Sequence, residues 1–550
     1  MNLNSSNRLK SSICPFCLYG CELAFTYDEN YLVFNVEYAG QGEVNQGRLC
    51  PRGNAVGIVL NHKRRLAYPL YNNKEVDWDK ALSEIAARPL RQNSEAIAIT
   101  FDRNLTEEET GLIYDFAERL GVENLACSYL EPESYFVYSV EDCLDAELAD
   151  IENAKAFVLI GDVFGQTPVI AKPILNARYA HRDHRIFVID SILTRTAGFA
   201  DRFLHCQPGS EPLVVLALKS LLTREIKGLA PEQIAEVSGI KLTLLEEVAN
   251  SLTKLKPIVV VCTMSFGRND NPYLLSLASK SLVAKSDGMK FLGLGEARSG
   301  LGKVGFGQIL SAIREGKIKV LLNFGTDFPF LYPQLRDLAE LETMIATAVF
   351  RPNQLAPYFI LPTALNLEKN GTINTLWGKV KINKILEPIS GSKTISEIIT
   401  LLNQKLNFTA KIGTKTKNHE VIIPLKQVYE LAREFLNTKS QTESSETDSL
   451  LLVGEKPAIG FWNIFDKEDV IKINLQDLQR FNLKQNEPAK VIGPAVELEL
   501  LVKTTNQVPP GIALVGVNRI ENRQLFTTAI DKATNNVIFP PTRVRLWQKG

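Results

Sequence analysis

Four cysteines near the N-terminus constrain the fold of this 550-residue chain more than any other feature. They lie in the segments ICPFCLYGCEL and GRLCPRG, and 28 residues separate the third from the fourth. A cuboidal iron-sulfur cluster needs one soft sulfur ligand for each iron, and three thiolates on one turn with a distant fourth supply that set. The spacing predicts a 4Fe-4S cluster whose ligands are Cys14, Cys17, Cys21 and Cys50.

The surroundings of these cysteines leave two questions open. Zinc is the alternative metal, because short Cys-x2-Cys turns also build tetrahedral zinc sites, although the x2, x3 spacing fits a zinc ribbon poorly. Arg52 follows the last cysteine by two residues. It is either a fixed cation that favours the reduced cluster and takes part in electron transfer, or a solvated surface side chain.

Composition excludes several classes of partner. Lysine plus arginine equals aspartate plus glutamate at 62 each, so there is no electrostatic case for nucleic acid or an anionic membrane. Neither a signal peptide nor an apolar run of bilayer length is visible, so we expect no direct membrane insertion and a cytoplasmic location. In that reducing compartment Cys127, Cys143, Cys206 and Cys262 are expected to be free thiols, mostly buried.

Short apolar strands alternate with amphipathic helices along the middle of the chain. Strands are predicted near 96–101, 156–161, 185–190, 257–262 and 318–325, and helices over 76–90 and 106–121. This alternation indicates parallel sheets covered by helices on both faces. After a polar linker at 437–449, closely spaced β runs with Pro and Gly turns indicate a compact barrel-like domain.

These segments, taken in order, resemble the molybdopterin oxidoreductase superfamily. The relatives in question are formate dehydrogenase catalytic subunits and, more closely, the large iron-sulfur subunit of respiratory complex I. CPFCLYGCEL and GRLCPRG resemble the family's cluster motif. VLIGDVFGQTPVIAKPILNA, VIDSILTRTAGFAD and CQPGSEPLVVLAL resemble the βα edges that hold a pterin dinucleotide, and ILPTALNLEKNGTINTLWGKV resembles a later glycine-turn segment.

The resemblance implies an α/β multidomain fold class. It has a small β-rich 4Fe-4S domain, two doubly wound α/β domains and a C-terminal β-barrel-like domain of the molybdopterin-dinucleotide-binding type. The predicted bounds are 10–65 for the cluster domain, 66–140 with 340–436 for a discontinuous α/β domain, 141–339 for a dinucleotide-type α/β domain, and 450–550 for the barrel.

The resemblance also implies a second cofactor, molybdenum or tungsten bis-molybdopterin guanine dinucleotide. Asn374 and Gly378 would then approach the pterin. The residues that would contact the dinucleotide are Gly161, Asp190, Thr194, Gly209, Ser210 and Glu211.

Several departures from the family pattern argue against that cofactor. Alignment on LGVENLACSYLEPESYF places Glu131 or Pro132 where catalytic members have their metal ligand, and proline cannot ligate. Cys127 lies about a turn too early and is expected to pack as a small apolar residue. Val163 and Ile192 stand where an asparagine and an arginine are expected, so polar contacts to a dinucleotide are lost.

Three functions are consistent with these observations. The leading hypothesis is an electron-transfer subunit, of NADH dehydrogenase or formate dehydrogenase type, without its own substrate site. Its partners would be other redox subunits, either flavin or iron-sulfur proteins. The second is a catalytic molybdenum or tungsten oxidoreductase of formate dehydrogenase type, with Glu131 or Cys127 as the metal ligand. The third is a structural subunit whose cluster serves only folding.

Overall fold

A computed structural model describes most of the chain. The described residues are 10–27, 33–38, 42–102, 104–223, 228–295, 302–326, 332–333, 335–351, 358–389, 391–408, 421–441, 448–456 and 469–548. Residues 293–307 of the sequence, GLGEARSGLGKVGFG, are rich in glycine, and part of this stretch lies outside these ranges, as does part of the predicted linker at 437–449. Two compact units divide the chain: the first comprises 1–130, 296–419 and 532–537, and the second 131–295, 420–531 and 538–550.

The strands in chain order are β1 (Lys10–Ile13), β2 (Glu22–Tyr27), β3 (Val33–Tyr38), β4 (Leu70–Tyr71), β5 (Lys74–Glu75), β6 (Ile97–Phe101), β7 (Asn124–Cys127), β8 (Tyr138–Val140), β9 (Ala156–Ile160), β10 (Arg185–Asp190), β11 (Arg202–His205), β12 (Ile258–Thr263), β13 (Met289–Leu294), β14 (Val320–Phe324), β15 (Thr343–Ala348), β16 (Tyr358–Pro362), β17 (Gly371–Thr375), β18 (Gly378–Ile382), β19 (Val421–Ile423), β20 (Leu450–Glu455), β21 (Val470–Ile473), β22 (Pro488–Ile492), β23 (Glu497–Thr504), β24 (Ile512–Gly516), β25 (Ala529–Ile530), β26 (Val537–Ile538) and β27 (Thr542–Gln548).

The α-helices in chain order are α1 (Pro51–Asn54), α2 (Val56–Leu60), α3 (Trp78–Ala87), α4 (Glu107–Leu120), α5 (Leu148–Asn153), α6 (Val163–Gln166), α7 (Ala171–Tyr179), α8 (Glu211–Thr223), α9 (Pro231–Ser238), α10 (Leu242–Lys254), α11 (Pro272–Val283), α12 (Phe306–Arg314), α13 (Ile395–Lys405), α14 (Leu425–Gln441), α15 (Leu475–Arg480) and α16 (Ile520–Arg523). Among the helices of the described ranges, none combines the length and the apolar character needed to cross a bilayer.

The first unit is built on a seven-stranded sheet of order β5-β4-β16-β15-β14-β6-β7. Strands β7, β6, β14, β15 and β16 pair in parallel, and β4 adds an antiparallel edge. Every residue of β6 is buried, because both faces of a parallel sheet are covered. The predicted helix at 106–121 is confirmed as α4: Thr106 and Glu109 form a capping box, and Gly121 ends the helix in the left-handed conformation.

The cluster segment of the first unit is a small antiparallel sheet of order β1-β2-β3. Helices α1 and α2 follow it, and α2 packs against β3. A separate hairpin, β17 with β18, belongs to the same unit. The apolar side chains of Ile13, Ile373 and Ile382 pack together, so the hairpin is joined to β1 through a shared core.

The second unit contains a five-stranded parallel sheet of order β11-β10-β9-β12-β13 and a closed barrel of order β20-β24-β21-β23-β22-β27. Strands β9 and β12 are buried along their whole length. The first ten residues of α8 are also all buried, as expected of a helix that is apolar on every side. The predicted α/β multidomain fold with a C-terminal barrel is confirmed.

Two details differ from the sequence predictions. Strand β14 falls in the predicted domain 141–339, but it pairs with β6 and β15 in the sheet of the first unit. A parallel strand needs a long crossover to its neighbour, so the partner of β14 is not evident from adjacent sequence. The predicted linker at 437–449 begins inside α14, whose polar last turn extends to Gln441 and whose Thr438 and Ser440 hydroxyls donate to carbonyls of the preceding turn. The division into four domains stays a prediction.

Candidate functional site

Three of the four predicted cluster ligands lie on one closed loop between β1 and β2. The backbone N–H of Cys14 donates to the carbonyl of Cys21 at 2.8 Å, which brings the ends of the loop together. Gly20 has a φ of +75°, a conformation that residues with a Cβ rarely adopt. Cys50 stands directly before α1, where Pro51 begins the helix.

The charges of the cysteine thiols act on one another in this segment. Burial raises the pKa of Cys14 well above its usual value, and the charges of Cys17 and Cys50 raise it further. The pKa of Cys21 is raised by the same causes, burial first and then the other three thiols. Cys17 and Cys50 are only half-buried. The two buried thiols, Cys14 and Cys21, are therefore expected to release their protons when a cation binds the thiolates.

Arg52 is part of this arrangement. Its side chain is buried, and its positive charge lowers the pKa of Cys14. The alternative of a solvated surface arginine is wrong, because α1 turns the side chain inward beside the thiols.

The residues of the loop fit a cluster. Within the ranges that the structure describes, no group of three or more histidine, cysteine or carboxylate side chains is placed to hold a metal ion. A four-iron cluster needs a wider arrangement of ligands than a single metal ion, because each iron takes one thiolate and the four ligands surround the cluster. Four neighbouring thiols with one buried cation suit such an anionic group.

Glu131, the residue at the predicted molybdenum or tungsten ligand position, is buried in the second unit and bound by basic side chains. Arg523 Nη1 lies 2.6 Å from Glu131 Oε1, and Lys456 Nζ lies 4.0 Å from Oε2. Lys456 Nζ also lies 3.2 Å from Oε1 of Glu133, which is buried as well. These four residues form a buried charge cluster of two acids and two bases.

Cys127, the other candidate metal ligand, ends strand β7 in the first unit. It is half-buried and packs against the apolar core around β6 and α4. Burial raises the pKa of Tyr114 to about 12, and the nearby Cys127 adds to that shift. The predicted packing of Cys127 as a small apolar residue is what the structure has.

Open α/β sheets bind nucleotides at the carboxyl ends of their strands, at the point where the strand order reverses. In the five-stranded sheet of the second unit, this point lies between β9 and β12. Gly161 follows β9 with a φ of +79°, and a Cβ on it would lie 2.5 Å from the Thr263 carbonyl oxygen. Gln166 bonds to the hydroxyl of Thr263 at 2.9 Å and to the hydroxyl of Ser265. The loops after β9 and β12 are therefore in direct contact.

Asp190, at the end of β10, is bonded within the protein. It is buried and forms an ion pair with Arg268. It also accepts hydrogen bonds from the backbone N–H of Ser191 at 2.7 Å and from the Thr194 hydroxyl at 3.3 Å. Burial raises the pKa of Asp190, and the positive charge of Arg268 opposes that shift.

The loop after β10 packs on the barrel. Ile192 is buried in an apolar cluster with four barrel residues, Val453, Val508, Ile512 and Leu514. The backbone N–H of Leu193 donates to the carbonyl of Gln507 at 2.8 Å. The apolar Ile192, which stands in place of an expected arginine, thus contributes to this packing.

The remaining predicted dinucleotide contacts lie at the start of α8. Gly209 has a φ of +79°, Ser210 is buried, and Glu211 begins the helix. Burial raises the pKa of Glu211 to about 7, and the charge of Asp190 adds to the shift. The predicted contacts are thus gathered at one edge of the sheet, but Asp190 and Thr194 are bonded to protein groups. A guanine dinucleotide could use these two side chains only if those bonds were broken.

Asn374 and Gly378, predicted to approach a pterin, lie on the β17–β18 hairpin. The turn of this hairpin contacts the cluster loop: the backbone N–H of Leu376 donates to the Leu18 carbonyl at 2.7 Å.

Sequence reasoning missed the basic residues of these sites. Arg268 stands in the loop after a predicted strand, a position that marks the carboxyl edge of a parallel sheet and could have pointed to it. Arg523 and Lys456 lie hundreds of residues from Glu131, and their pairing leaves no signal in one sequence.

The chain matches two protein families. Residues 8–62 match the molybdopterin oxidoreductase Fe4S4 domain, and residues 65–405 match molybdopterin oxidoreductase.

Several relatives and solved structures are similar to the chain. The F420-dependent formate dehydrogenase subunit alpha of Methanocaldococcus jannaschii is 26% identical over 274 residues, 44% of this chain and 40% of that protein. The match thus spans well under two thirds of that relative. The NADPH-Fe(3+) oxidoreductase subunit alpha of Geobacter sulfurreducens is 21% identical over 607 residues, 91% of this chain and 70% of that protein. Acetylene hydratase from Pelobacter acetylenicus superposes with a TM-score of 0.76 at 13% identity, over 98% of this chain and 100% of that one, which shows the fold alone.

Proposed function

The chain belongs to the molybdopterin oxidoreductase family, and from that premise we propose that it is a 4Fe-4S electron-transfer subunit whose scaffold lacks a molybdenum or tungsten ligand. The observation that carries the proposal is the ion pair between Glu131 and Arg523 at the ligand position. A buried carboxylate held by an arginine is already compensated, and giving it to a metal would take from the buried Arg523 its ion-pair partner.

The four cysteines are proposed to hold the cluster, which supplies one-electron transfer when bound. Cys14 and Cys21 are the buried ligands, and Cys17 and Cys50 are the more accessible ones. Arg52 places a buried positive charge beside Cys14. That charge favours the more negative, reduced state, so Arg52 is proposed to raise the reduction potential.

The contacts at the carboxyl ends of the strands of the parallel sheet in the second unit support the proposed absence of a dinucleotide. Asp190 is engaged by Arg268, and the loops after β9 and β12 are bonded through Gln166. A dinucleotide held by Asp190 would have to displace Arg268 from that carboxylate. Each buried polar group left unpaired would cost about 1–3 kcal/mol.

The subunit is proposed to work with other redox proteins. Two similar proteins are each named as subunit alpha, which supports a place in a multisubunit redox enzyme. The specific partners are proposed to be flavin or iron-sulfur subunits, because one cluster in a chain of this size passes electrons only to a group docked close by. A cytoplasmic location is part of the proposal, because a cluster held by cysteine thiolates is suited to a reducing compartment.

Elemental analysis of the anaerobically purified full chain tests the proposal. We expect about four irons per chain and no molybdenum, tungsten or zinc. Acid hydrolysis should release no GMP, the nucleotide that a guanine dinucleotide would yield. Stoichiometric molybdenum or tungsten with GMP would overturn the relay function in favour of a catalytic oxidoreductase, and stoichiometric zinc without iron would overturn the cluster.

The ligands and the redox role are tested by spectroscopy. Cys50→Ala should abolish the EPR signal of the reduced cluster, whereas Cys143→Ala, which changes a half-buried cysteine of the second unit, should keep it. An unchanged signal in Cys50→Ala contradicts the ligand assignment. A wild-type cluster that no donor reduces reversibly would instead identify a structural subunit.

A further inference from the structure

We propose that Trp377 is a positioning residue for the cluster loop: it holds the segment between Cys17 and Cys21 in place, limits the access of water, and thereby sets the reduction potential of the cluster. The inference rests on the cluster ligands proposed above. It assigns to the β17–β18 hairpin a role different from the pterin contacts that the sequence resemblance implied.

The turn of the hairpin bonds two consecutive residues of the cluster loop. The backbone N–H of Leu376 donates to the carbonyl of Leu18 at 2.7 Å. The indole N–H of Trp377 donates to the carbonyl of Tyr19 at 2.9 Å. The rings of Trp377 and Tyr19 also meet edge to face, with centroids 5.6 Å apart. Backbone and side chain of the turn thus both fix the loop.

A third contact involves Gly20. A Cβ on Gly20 would lie 3.0 Å from Cγ2 of Thr375, so the loop and the hairpin already touch closely at this position. The same threonine organises the turn: its hydroxyl donates to the carbonyl of Gly378 at 2.8 Å and accepts from the backbone N–H of Trp377 at 3.2 Å. The indole is therefore presented to the loop by a turn with its own internal bonds.

The base of the hairpin is also anchored to the cluster segment. Ile13, the residue before the first ligand, packs with Ile373 and Ile382. The ammonium of Lys10 donates to the carbonyl of Ile385 at 3.0 Å. Because both ends of the hairpin are held, the turn cannot move away from the loop without breaking apolar and polar contacts together.

The physical consequence concerns the charge of the cluster. Reduction adds a negative charge, and water stabilises the more highly charged state better than an apolar environment does. Tyr19 is 1% exposed and Phe16 is 3% exposed, so this part of the loop is dry. Removing the half-buried indole of Trp377 would admit water beside Tyr19 and raise the reduction potential.

Two substitutions in the full-length chain test the role. Trp377→Ala removes the ring and the donor, and Trp377→Phe keeps a ring but leaves the Tyr19 carbonyl without the indole N–H. The control is Trp547→Phe, which changes a tryptophan on the barrel that is 68% exposed. Iron content, the midpoint potential from anaerobic EPR-monitored titration, and the rate of iron loss to a chelator are measured for each protein.

We expect an upward shift of the midpoint potential and a several-fold faster loss of iron in Trp377→Ala, a smaller shift in the same direction in Trp377→Phe, and no change in the control. A full iron complement with wild-type potential and wild-type iron loss in both Trp377 variants would overturn the proposal. If Trp377→Ala does not fold, Trp377→Phe decides by the same criteria. A wild-type protein without iron would overturn the cluster assignment itself, which is a separate result.

Discussion

Arg523 Nη1 and Glu131 Oε1 are 2.6 Å apart, although the two residues are separated by 392 positions in the chain. The guanidinium also lies over the ring of Phe266, 4.5 Å from its centroid. Both charged side chains are almost fully buried. The pair therefore holds the segment after Leu130 to the C-terminal part of the second unit.

Breaking this pair should destabilise the second unit. Arg523→Met leaves a buried carboxylate with weaker compensation, so we expect the free energy of unfolding to fall by about 3–5 kcal/mol. The double variant Glu131→Gln with Arg523→Met should recover much of that loss, because neither charge remains. Denaturant titration of the four proteins of this cycle measures the coupling. A loss in the double variant equal to the sum of the losses in the two single variants would show that the two side chains do not interact.

The contact between the loops after β9 and β12 predicts an asymmetric response of two glycines. Position 161 has a positive φ, and the alanine in Gly161→Ala would place its Cβ 2.5 Å from the Thr263 carbonyl oxygen. We therefore expect the free energy of unfolding to fall by about 2 kcal/mol or more. Gly198→Ala is the matched control, since a Cβ there has no atom within 4 Å. Thermal unfolding of both variants provides the comparison. A Gly161→Ala protein as stable as the Gly198→Ala protein would contradict the close contact.

Much of the fold could be predicted because the signals are local. Strands β6, β9 and β10 are continuous apolar runs, and α4 carries its capping residues at both ends. The cysteine loop is equally local, since three ligands fall within eight residues, from Cys14 to Cys21.

The rest depends on pairings between distant residues. Trp377 reaches Tyr19 across 358 positions, and Arg268 reaches Asp190 across 78. A tryptophan or an arginine in a loop is compatible with many partners, and one sequence does not select among them. The burial of Arg52 is a similar case, because its position after Cys50 allowed both an inward and an outward side chain.

Thiol reactivity should separate the cysteines by burial. In cluster-free protein we expect alkylation of Cys17 and Cys50 before that of Cys14 and Cys21, because burial raises the pKa of the latter two and only thiolates react rapidly. Peptide mass spectrometry after brief treatment at pH 8 measures the order. Protein that retains its cluster is the control, and should show none of the four labelled. Labelling of Cys14 or Cys21 before Cys17 and Cys50 would contradict the described loop.

Two cysteines of the second unit should resist the same reagent. Burial raises the pKa of Cys262 to about 12, and the pKa of Cys206 is raised by burial and by the charge of Glu211. We expect both thiols to be labelled only after denaturation. Rapid labelling of either one in folded protein would show that the core around β12 and α8 is open.

The stability of the second unit should depend on the protonation of Glu211. Its pKa rises from 4.5 to about 7 on folding, so the folded protein binds a proton that the unfolded chain has released. Stability therefore falls as pH rises from about 4.5 to about 7, by a total of about 3 kcal/mol, and the loss is complete above that range.

Glu211→Gln removes this dependence, since the amide does not ionise. The variant should match the wild type near pH 4.5 and exceed its free energy of unfolding at pH 8 by about 3 kcal/mol. Anaerobic denaturant titrations at the two pH values give the difference directly. Glu232→Gln is the matched control, because Glu232 is an exposed glutamate in the first turn of α9. A Glu211→Gln protein with the pH dependence of the wild type would show that this carboxyl is ionised in the folded protein at pH 5 and that its burial is compensated by its neighbours.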